Sequence, residues 1–392
     1  LHPPGPYNMK ETTILTIIAL FFVTIASAIP FPSYNVWFGQ YVGLLAIFFI
    51  SLVLYLWNKN KPLSLFLSFC ILSTFSVTRL SPRAIMLMYQ ISLGAVFVYA
   101  IAQLNYKNRE KIKYAIALLV MLQFLWIILQ WCGLDPLFVC VYNDKMDGLV
   151  GFSGAPNQIG AFFAITLPMM LHIHPLLSII SIIGLIVSRS SFAFVAGIVS
   201  GLLYCFFVYR KFFYYILIAF TLISAFFLKK VDNPCFVDFK TRFGVWAHAI
   251  HSTIEGDISM KHAGREGIVK TNPLYGYGLG NFFVIFPRTP ERPYFNYERE
   301  KYNHAHNEYV ESFFELGYIG IIIIFSMIIK FFINFLYTIK DEEIMAYFCC
   351  IMAILINSMG NFTLHIALNG LLLIVYYGLF EGVRIGNKTR LV

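Results

Sequence analysis

The chain has 392 residues, of which 59% are hydrophobic and only 12% charged, with a formal net charge of +9. A soluble protein of this length needs far more charge to cover its surface, so the composition implies an integral membrane protein. It also excludes nucleic acid as a partner, because no soluble basic domain exists to carry the charge, which points first to cytoplasmic anchoring loops and then to an anionic ligand.

Residues 1–8, LHPPGPYN before Met9, read as a vector-derived remnant, which leaves 9–392 as one domain. A span needs about 20 apolar residues. Candidates fall near 12–29, 36–57, 62–78, 84–104, 114–132, 155–173, 175–188, 191–208, 212–228, 310–330, 344–361 and 366–383. Open strands cannot satisfy their backbone polar groups in lipid, so these are helices and the expected fold is an all-α polytopic membrane protein.

Alternate short loops carry Lys59 and Lys61, then Lys107, Arg109, Lys111 and Lys113, then Arg210 and Lys211, with Lys340 and the tail residues Arg384, Lys388 and Arg390 on the same side. The opposite short loops hold Arg79, Arg83, Lys145 and Arg189. The positive-inside rule makes the first set cytoplasmic, with both termini inside. Residues 229–307 then form one long hydrophilic loop outside, between the ninth and tenth spans, bearing His248, His251, His262, His304 and His306. Its basic character runs against the topological bias, so the charge serves something other than orientation.

Cysteines form no C-x-x-C pair. Cys70, Cys205, Cys349 and Cys350 fall in apolar runs and read as inert core, whereas Cys132, Cys140 and Cys235 fall toward the outer face, where one disulfide has room to form.

In chain order, the first residue with chemical promise is Asn157, in GFSGAPNQIGAF, which either bonds a sugar or caps its own helix. Arg189, in VSRSS, lies between two tight spans; an arginine so close to hydrocarbon pairs with an anion or snorkels to the interface. Arg242 and Trp246, in TRFGVWAHAI, share one helical face, which suggests a helix lying on the membrane surface with Arg242 at its edge. Guanidinium groups donate two parallel hydrogen bonds to phosphate oxygens, so two of them converging suit a pyrophosphate. Gly276, Gly278 and Gly280 follow no strand and read as a structural turn that brings backbone close to other elements.

His306 opens the pattern His306, Asn307, Gly317, Gly320. Its imidazole can accept a proton from an attacking hydroxyl, or it can cap the helix that begins near Asn307. His304 makes a His-x-His pair with it, but no Asp, Glu or Cys set completes a metal site at suitable spacing, so no metal is expected and His304 reads either as a support behind the reacting residues or as a substrate contact. Glu315, near the start of its span, is placed to pair with a basic loop residue. The scarcity of charge within the spans argues against a secondary transporter.

The His306–Gly320 pattern, Ser188-Arg189-Ser190, Arg242-x-x-x-Trp246 and the Pro273–Phe282 run together resemble the O-antigen ligase family, which includes lipopolysaccharide O-antigen ligases, polysaccharide polymerases and bacterial protein O-oligosaccharyltransferases. The resemblance implies a twelve-helix, GT-C-like glycosyltransferase of the bacterial inner membrane with a large periplasmic loop, needing neither metal nor cofactor. It implies an undecaprenyl-pyrophosphate-linked glycan donor and a lipid A–core or other hydroxyl acceptor, with inversion at the anomeric carbon. His306 would be the base and Arg189 and Arg242 the donor-pyrophosphate ligands, with His304, Asn307 and Asn157 lining the substrate site. The insert between Trp246 and Pro273 is longer than the family pattern, which makes Arg265 a second candidate for the loop arginine. Polymerase and protein O-oligosaccharyltransferase keep the same chemistry with another acceptor. A polysaccharide or lipid flippase would instead need charge along the spans and no special role for His306.

Overall fold

The computed structural model describes residues 13–14, 16–18, 90, 94–134, 151–153, 155–211, 213, 235–262, 265–286, 304–339 and 341–389. The expected spans 36–57 and 62–78 lie outside these residues, as do most of 12–29 and 212–228. The helices and strands are α1 (Tyr106–Trp131), α2 (Pro156–Ile173), α3 (Pro175–Ser188), α4 (Ser191–Val208), α5 (Cys235–Glu255), β1 (Asp257–His262), β2 (Arg265–Lys270), the short α6 (Phe282–Ile285), α7 (Glu308–Leu336), α8 (Glu342–Asn357) and α9 (Ala367–Thr389).

Local signals explain the central helices. Pro156 opens α2 at a position whose N–H needs no partner, after Ala155 in extended backbone. The helix is then buried on every side from Gln158 to Met170 and packs against α3, α4 and α8. Asn157 sits one residue inside α2, so it does not cap the helix; Ala155 holds that position. Pro175 opens α3, and the His174 Nδ1 accepts from the Leu176 amide at 3.2 Å. Ala193, Ala196, Gly197, Ser200 and Gly201 form a small-residue stripe on α4 that lets backbones approach closely, as is common between membrane helices. A Cβ on Gly197 would lie 2.6 Å from Leu185 Cδ1 and 3.3 Å from the Ala164 Cα, so a larger residue there requires its neighbours to shift.

Four described helices are long and apolar enough to cross a membrane: α1, α4, α7 and α9 over Ala367–Gly386. The face of α7 bearing Ile322, Phe325, Met327, Ile329 and Ile333 is exposed, as lipid-facing side chains are. At its 1.5 Å rise per residue, α7 would run about 43 Å, longer than the roughly 30 Å hydrocarbon layer. It does not run straight: Gly317 breaks it at φ 63°, ψ −160°.

The bundle is polar at its two ends and apolar between them. At one end α1 begins, α2 and α4 finish and α8 begins: Arg109 and Lys113 approach Glu343 at 3.6 Å, and the Tyr347 hydroxyl donates to Glu343 at 2.6 Å. Lys107, Arg109, Lys111 and Lys113 therefore lie within α1 and not in a loop before it; α1 starts two turns earlier than its apolar run, because the ion pairs offset the cost of burying its charges. At the other end lie the N-terminus of α2, the α3–α4 turn and the α8–α9 turn. Gln130 near the end of α1 reaches the same end, bonding both the amide and the carbonyl of Gly151.

Above this second end sits a small separate core of Val245, Ala249, Tyr277, Phe282, Phe286 and Phe314. Phe282 stacks on Phe286 at 4.5 Å and meets Phe314 edge-on at 5.2 Å. Burying rings of this size stabilises by about 1.5–3 kcal/mol each, which fixes α6 on the first turns of α7. The insert after Trp246 is the rest of α5 followed by the antiparallel β1–β2 hairpin, with Asp257 opposite Lys270 and His262 opposite Arg265.

Candidate active site

Residues 304–308 cross the second end and enter α7. Asn307 caps that helix: its Oδ1 accepts from the Tyr309 and Val310 amides at 3.0 and 3.1 Å, and its Nδ2 donates to the Met359 carbonyl at 2.9 Å. His306 is thereby free of the capping role. Asn307, expected as a substrate ligand, spends its side chain on structure.

His306 has φ 53°, and among the described residues it shares positive φ outside glycine only with Arg189, also at 53°. A left-handed L-residue costs about 1–2 kcal/mol, so its neighbours must hold it. They do. The Ala305 amide donates to Glu311 Oε2 at 2.9 Å, the Ala305 carbonyl accepts from Trp246 Nε1 at 2.7 Å, and the Glu308 amide donates to the Ser358 carbonyl at 2.9 Å.

Trp246 stands one turn from Arg242 on α5, and the two reach neighbouring segments. Arg242 is buried, at 6% exposure, which corrects the expectation of an edge position. Its Nη1 donates to the Gly360 carbonyl, and its guanidinium lies over the Phe192 ring at 5.7 Å. The His306 ring meets Phe362 edge-on at 5.0 Å. His306 and Arg242, two of the three residues expected to be catalytic, therefore rest on the α8–α9 turn, at positions two residues apart. Asn357 pins that turn, donating to Thr363 Oγ1 at 2.7 Å and accepting from Asn361 at 3.0 Å.

Burial, then the Arg242 and His304 charges, lower the His306 imidazole to about 3, with Glu311 opposing. It is therefore neutral at physiological pH and, in the free protein, a much weaker base than an ordinary imidazole. Its Nδ1 is shut off from solvent and has no hydrogen bond among the described residues, while the residue as a whole is only half-buried.

Arg189 ends α3 in the left-handed conformation and is exposed; its amide donates to the Ile186 carbonyl at 3.3 Å, while its side chain has no hydrogen bond or ion pair among the described residues. Its turn reaches the site through Phe192, whose ring a Cβ on Gly360 would meet at 2.1 Å. Gly160 lets the same turn settle on α2, since a Cβ there would fall 2.6 Å from Ser188 Oγ and 2.9 Å from Ser190 Cβ. Asn157 lies one turn before Gly160, half-buried, at the same end of the bundle. Arg265 is at the turn end of the hairpin, at the start of β2. The contacts with Gly360 and the charge felt at His306 belong to Arg242.

The glycine-rich run does follow a strand, β2, which corrects the expectation, and it is a clasp on the break in α7. Tyr277 and Gly278 amides donate to the Phe314 and Glu315 carbonyls at 2.9 and 2.7 Å, and Tyr318 and Ile319 amides donate to the Pro273 and Leu274 carbonyls at 3.0 and 3.1 Å. These bonds replace the helical ones lost at Gly317. Glu315 joins them: its Oε1 accepts from the Phe282 amide at 2.9 Å, and among the described residues no basic side chain forms an ion pair with it.

Sequence reasoning missed Glu308, Glu311 and His365. Glu308, Glu311 and Glu315 occupy one face of α7, a spacing of three and four residues that is visible in the sequence. His304 Nδ1 donates to Glu311 Oε1 at 2.8 Å, and His365 Nδ1 lies 3.1 Å from Glu308 Oε2. His304, Glu311 and His365 offer three possible metal-ligand atoms within 4.8 Å of one another, although here they face each other in hydrogen bonds and ion pairs.

No curated protein matches the chain. Residues 266–325, from β2 through the glycine clasp and His306 into α7, match the family model described as O-Antigen ligase. The matched segment contributes His304, His306, Glu308 and Glu311 to this site, and the match supports the O-antigen ligase family.

Proposed function

We propose that the protein is a membrane O-antigen ligase, which transfers a glycan en bloc from undecaprenyl pyrophosphate to a hydroxyl of the lipid A–core at the periplasmic face of the bacterial inner membrane. The observation that carries this reading is the convergence of neutral His306 and cationic Arg242 on one turn, beside the segment that matches the family. The full architecture proposed is GT-C-like, with about twelve spans, both termini cytoplasmic and 229–307 in the periplasm. The separation of the Lys107–Lys113 end from the His306 end supports that orientation.

In the proposed step the acceptor oxygen attacks the anomeric carbon from the face opposite the leaving group, and its proton passes to His306. The bond between that carbon and the pyrophosphate oxygen breaks, and undecaprenyl pyrophosphate leaves with the bonding pair. Arg242 and Arg189 offset the charge that develops on it, and His306 returns its proton to solvent. Asn157 and His304 are proposed sugar contacts. No step needs a metal.

The test is to incubate purified full-length protein with undecaprenyl-pyrophosphate-linked glycan and, in turn, lipid A–core, more donor, or an acceptor protein. Transfer to lipid A–core that disappears in His306→Ala, with donor binding kept, is expected. Transfer only to a second donor molecule makes it a polymerase, transfer only to protein an oligosaccharyltransferase, and donor crossing the bilayer without transfer a flippase. A cysteine at position 290 should label from outside; labelling only after the inner membrane is permeabilised inverts the orientation.

A further inference from the structure

Behind His306 lies a set of ionisable groups that the transfer step above does not use. Glu308 and Glu311 are 6% and 2% exposed, and carboxylates this deep are stable only with partners. His365 supplies them with charge. Its Nδ1 faces Glu308 at 3.1 Å and its Nε2 faces Glu311 at 3.6 Å, so both ring nitrogens point at carboxylates, the arrangement of a protonated imidazole. Burial opposes that charge, but Glu308, Glu311 and Glu315 outweigh it and raise His365 to about 10. The remaining face of His365 meets the His304 ring at 4.7 Å.

Glu311 uses both oxygens, one for His304 Nδ1 at 2.8 Å and one for the Ala305 amide at 2.9 Å. Because Trp246 takes the Ala305 carbonyl at 2.7 Å, the residue before His306 is clamped from two sides. The His304 ring also stacks on Phe362 at 4.7 Å, the same ring that His306 meets edge-on.

We propose that Glu311, with His365 as its buried counter-charge, is the positioning residue for His306: its carboxylate holds the Ala305 amide and the His304 ring, and so keeps the His306 imidazole in its left-handed setting against Phe362. Nothing on the substrate touches Glu311 in this role. It acts through the backbone, as a carboxylate that orients a catalytic histidine does through the ring.

The role rests on the reading of His306 as the base, so one readout is independent of turnover. Full-length protein carrying isotope-labelled histidine is placed in lipid bilayers, and its imidazole resonances are assigned by loss in His306→Ala and His365→Gln. At about pH 8 the His365 ring is expected to be doubly protonated, well above the usual histidine range, and the His306 resonance to move in Glu311→Gln. A neutral His365, or an unmoved His306 signal in Glu311→Gln, overturns the proposal.

With donor and acceptor, Glu311→Gln and His365→Gln are expected to lower kcat by about 10- to 100-fold while donor KM changes less than about three-fold. His365→Lys, which keeps a cation, recovers part of the loss. Should Glu311→Gln fail to fold, Trp246→Phe removes the other clamp on Ala305 and is expected to shift the same His306 resonance. Full turnover in both glutamine variants, or activity abolished by a chelator and restored by a divalent ion, sinks the positioning role. A wild-type protein that transfers nothing refutes the ligase reading, while the resonances still decide this one.

Discussion

Gly276 and Gly317 lie backbone against backbone, so close that a Cβ on either would sit 2.6 Å from the other's amide nitrogen. The contact gives the glycine ten residues beyond Asn307 a physical meaning. At φ 63°, ψ −160°, Gly317 occupies a region open essentially to glycine alone, and the carbonyls and amides freed by the break are taken up by the 273–278 turn. The break therefore sets where the first two turns of α7, with Glu308 and Glu311, stand relative to α5 and the α8–α9 turn.

Gly317→Ala is expected to cost about 3 kcal/mol or more, from the disallowed backbone together with the overlap with Pro273 and Gly276. The variant should accumulate poorly in membranes and melt well below wild type. Wild-type accumulation and melting would show that the clasp tolerates a Cβ.

Gly360→Ala places a methyl 2.1 Å from the Phe192 ring and must displace the turn that seats Arg242. Both Gly360→Ala and Arg242→Lys are expected to raise donor KM by about ten-fold, because lysine keeps the charge but loses the planar fork. Donor KM at the wild-type value in either variant contradicts a pyrophosphate ligand held by this turn.

His306→Ala should lower kcat by about 10²–10⁴-fold with donor binding retained. The pH dependence adds a second check. A protonated imidazole cannot accept a proton, so activity fails as pH falls through the His306 value, which burial and Arg242 hold at about 3 in the free protein. A bound diphosphate favours the charged ring and raises that value, so the acidic limb of kcat should lie at higher pH than that of kcat/KM. Coincident limbs at saturating and limiting donor would count against His306 facing the diphosphate.

Arg189 separates folding from function. It is exposed and left-handed, a setting asparagine tolerates better, so Arg189→Asn should leave stability unchanged or raise it by up to about 1 kcal/mol. Donor affinity should nevertheless fall by about ten-fold if the guanidinium meets a phosphate. A variant equal to wild type in transfer removes Arg189 from the site.

His365 predicts an alkaline loss of stability. Its folded value of about 10 exceeds the ordinary 6.5, so its contribution is complete below about 6.5 and is lost as pH rises through 10. Melting temperature should fall between pH 7 and 10 more steeply in wild type than in His365→Gln. Parallel curves would mean that the pair with Glu308 and Glu311 adds no charge-dependent stability.

Much of this was legible along the chain. The expected spans 155–173, 175–188 and 191–208 differ by at most one residue from α2, α3 and α4, because Pro156, Pro175 and the Arg189 turn punctuate the helices locally. The Arg242–Trp246 spacing placed both side chains on one face, and the glycine run announced a close backbone approach. The start of α1 was not legible: its first two turns carry four cations that suit a loop until Glu343, more than 200 residues away, is seen beside them.

Residue type and spacing alone determined that His306 stands at a helix entrance beside glycines able to take unusual backbone, since those are properties of neighbours in sequence. Which side chain caps, which one is buried and which carboxylate holds the histidine were decided only in three dimensions. Glu311 reads as an ordinary acid in a helical first turn until Ala305, His304 and His365 close around it, and Arg242 reads as a surface cation until Gly360 and Phe192 cover it. Burial and pairing depend on what lies opposite, and the chain brings that from distant segments.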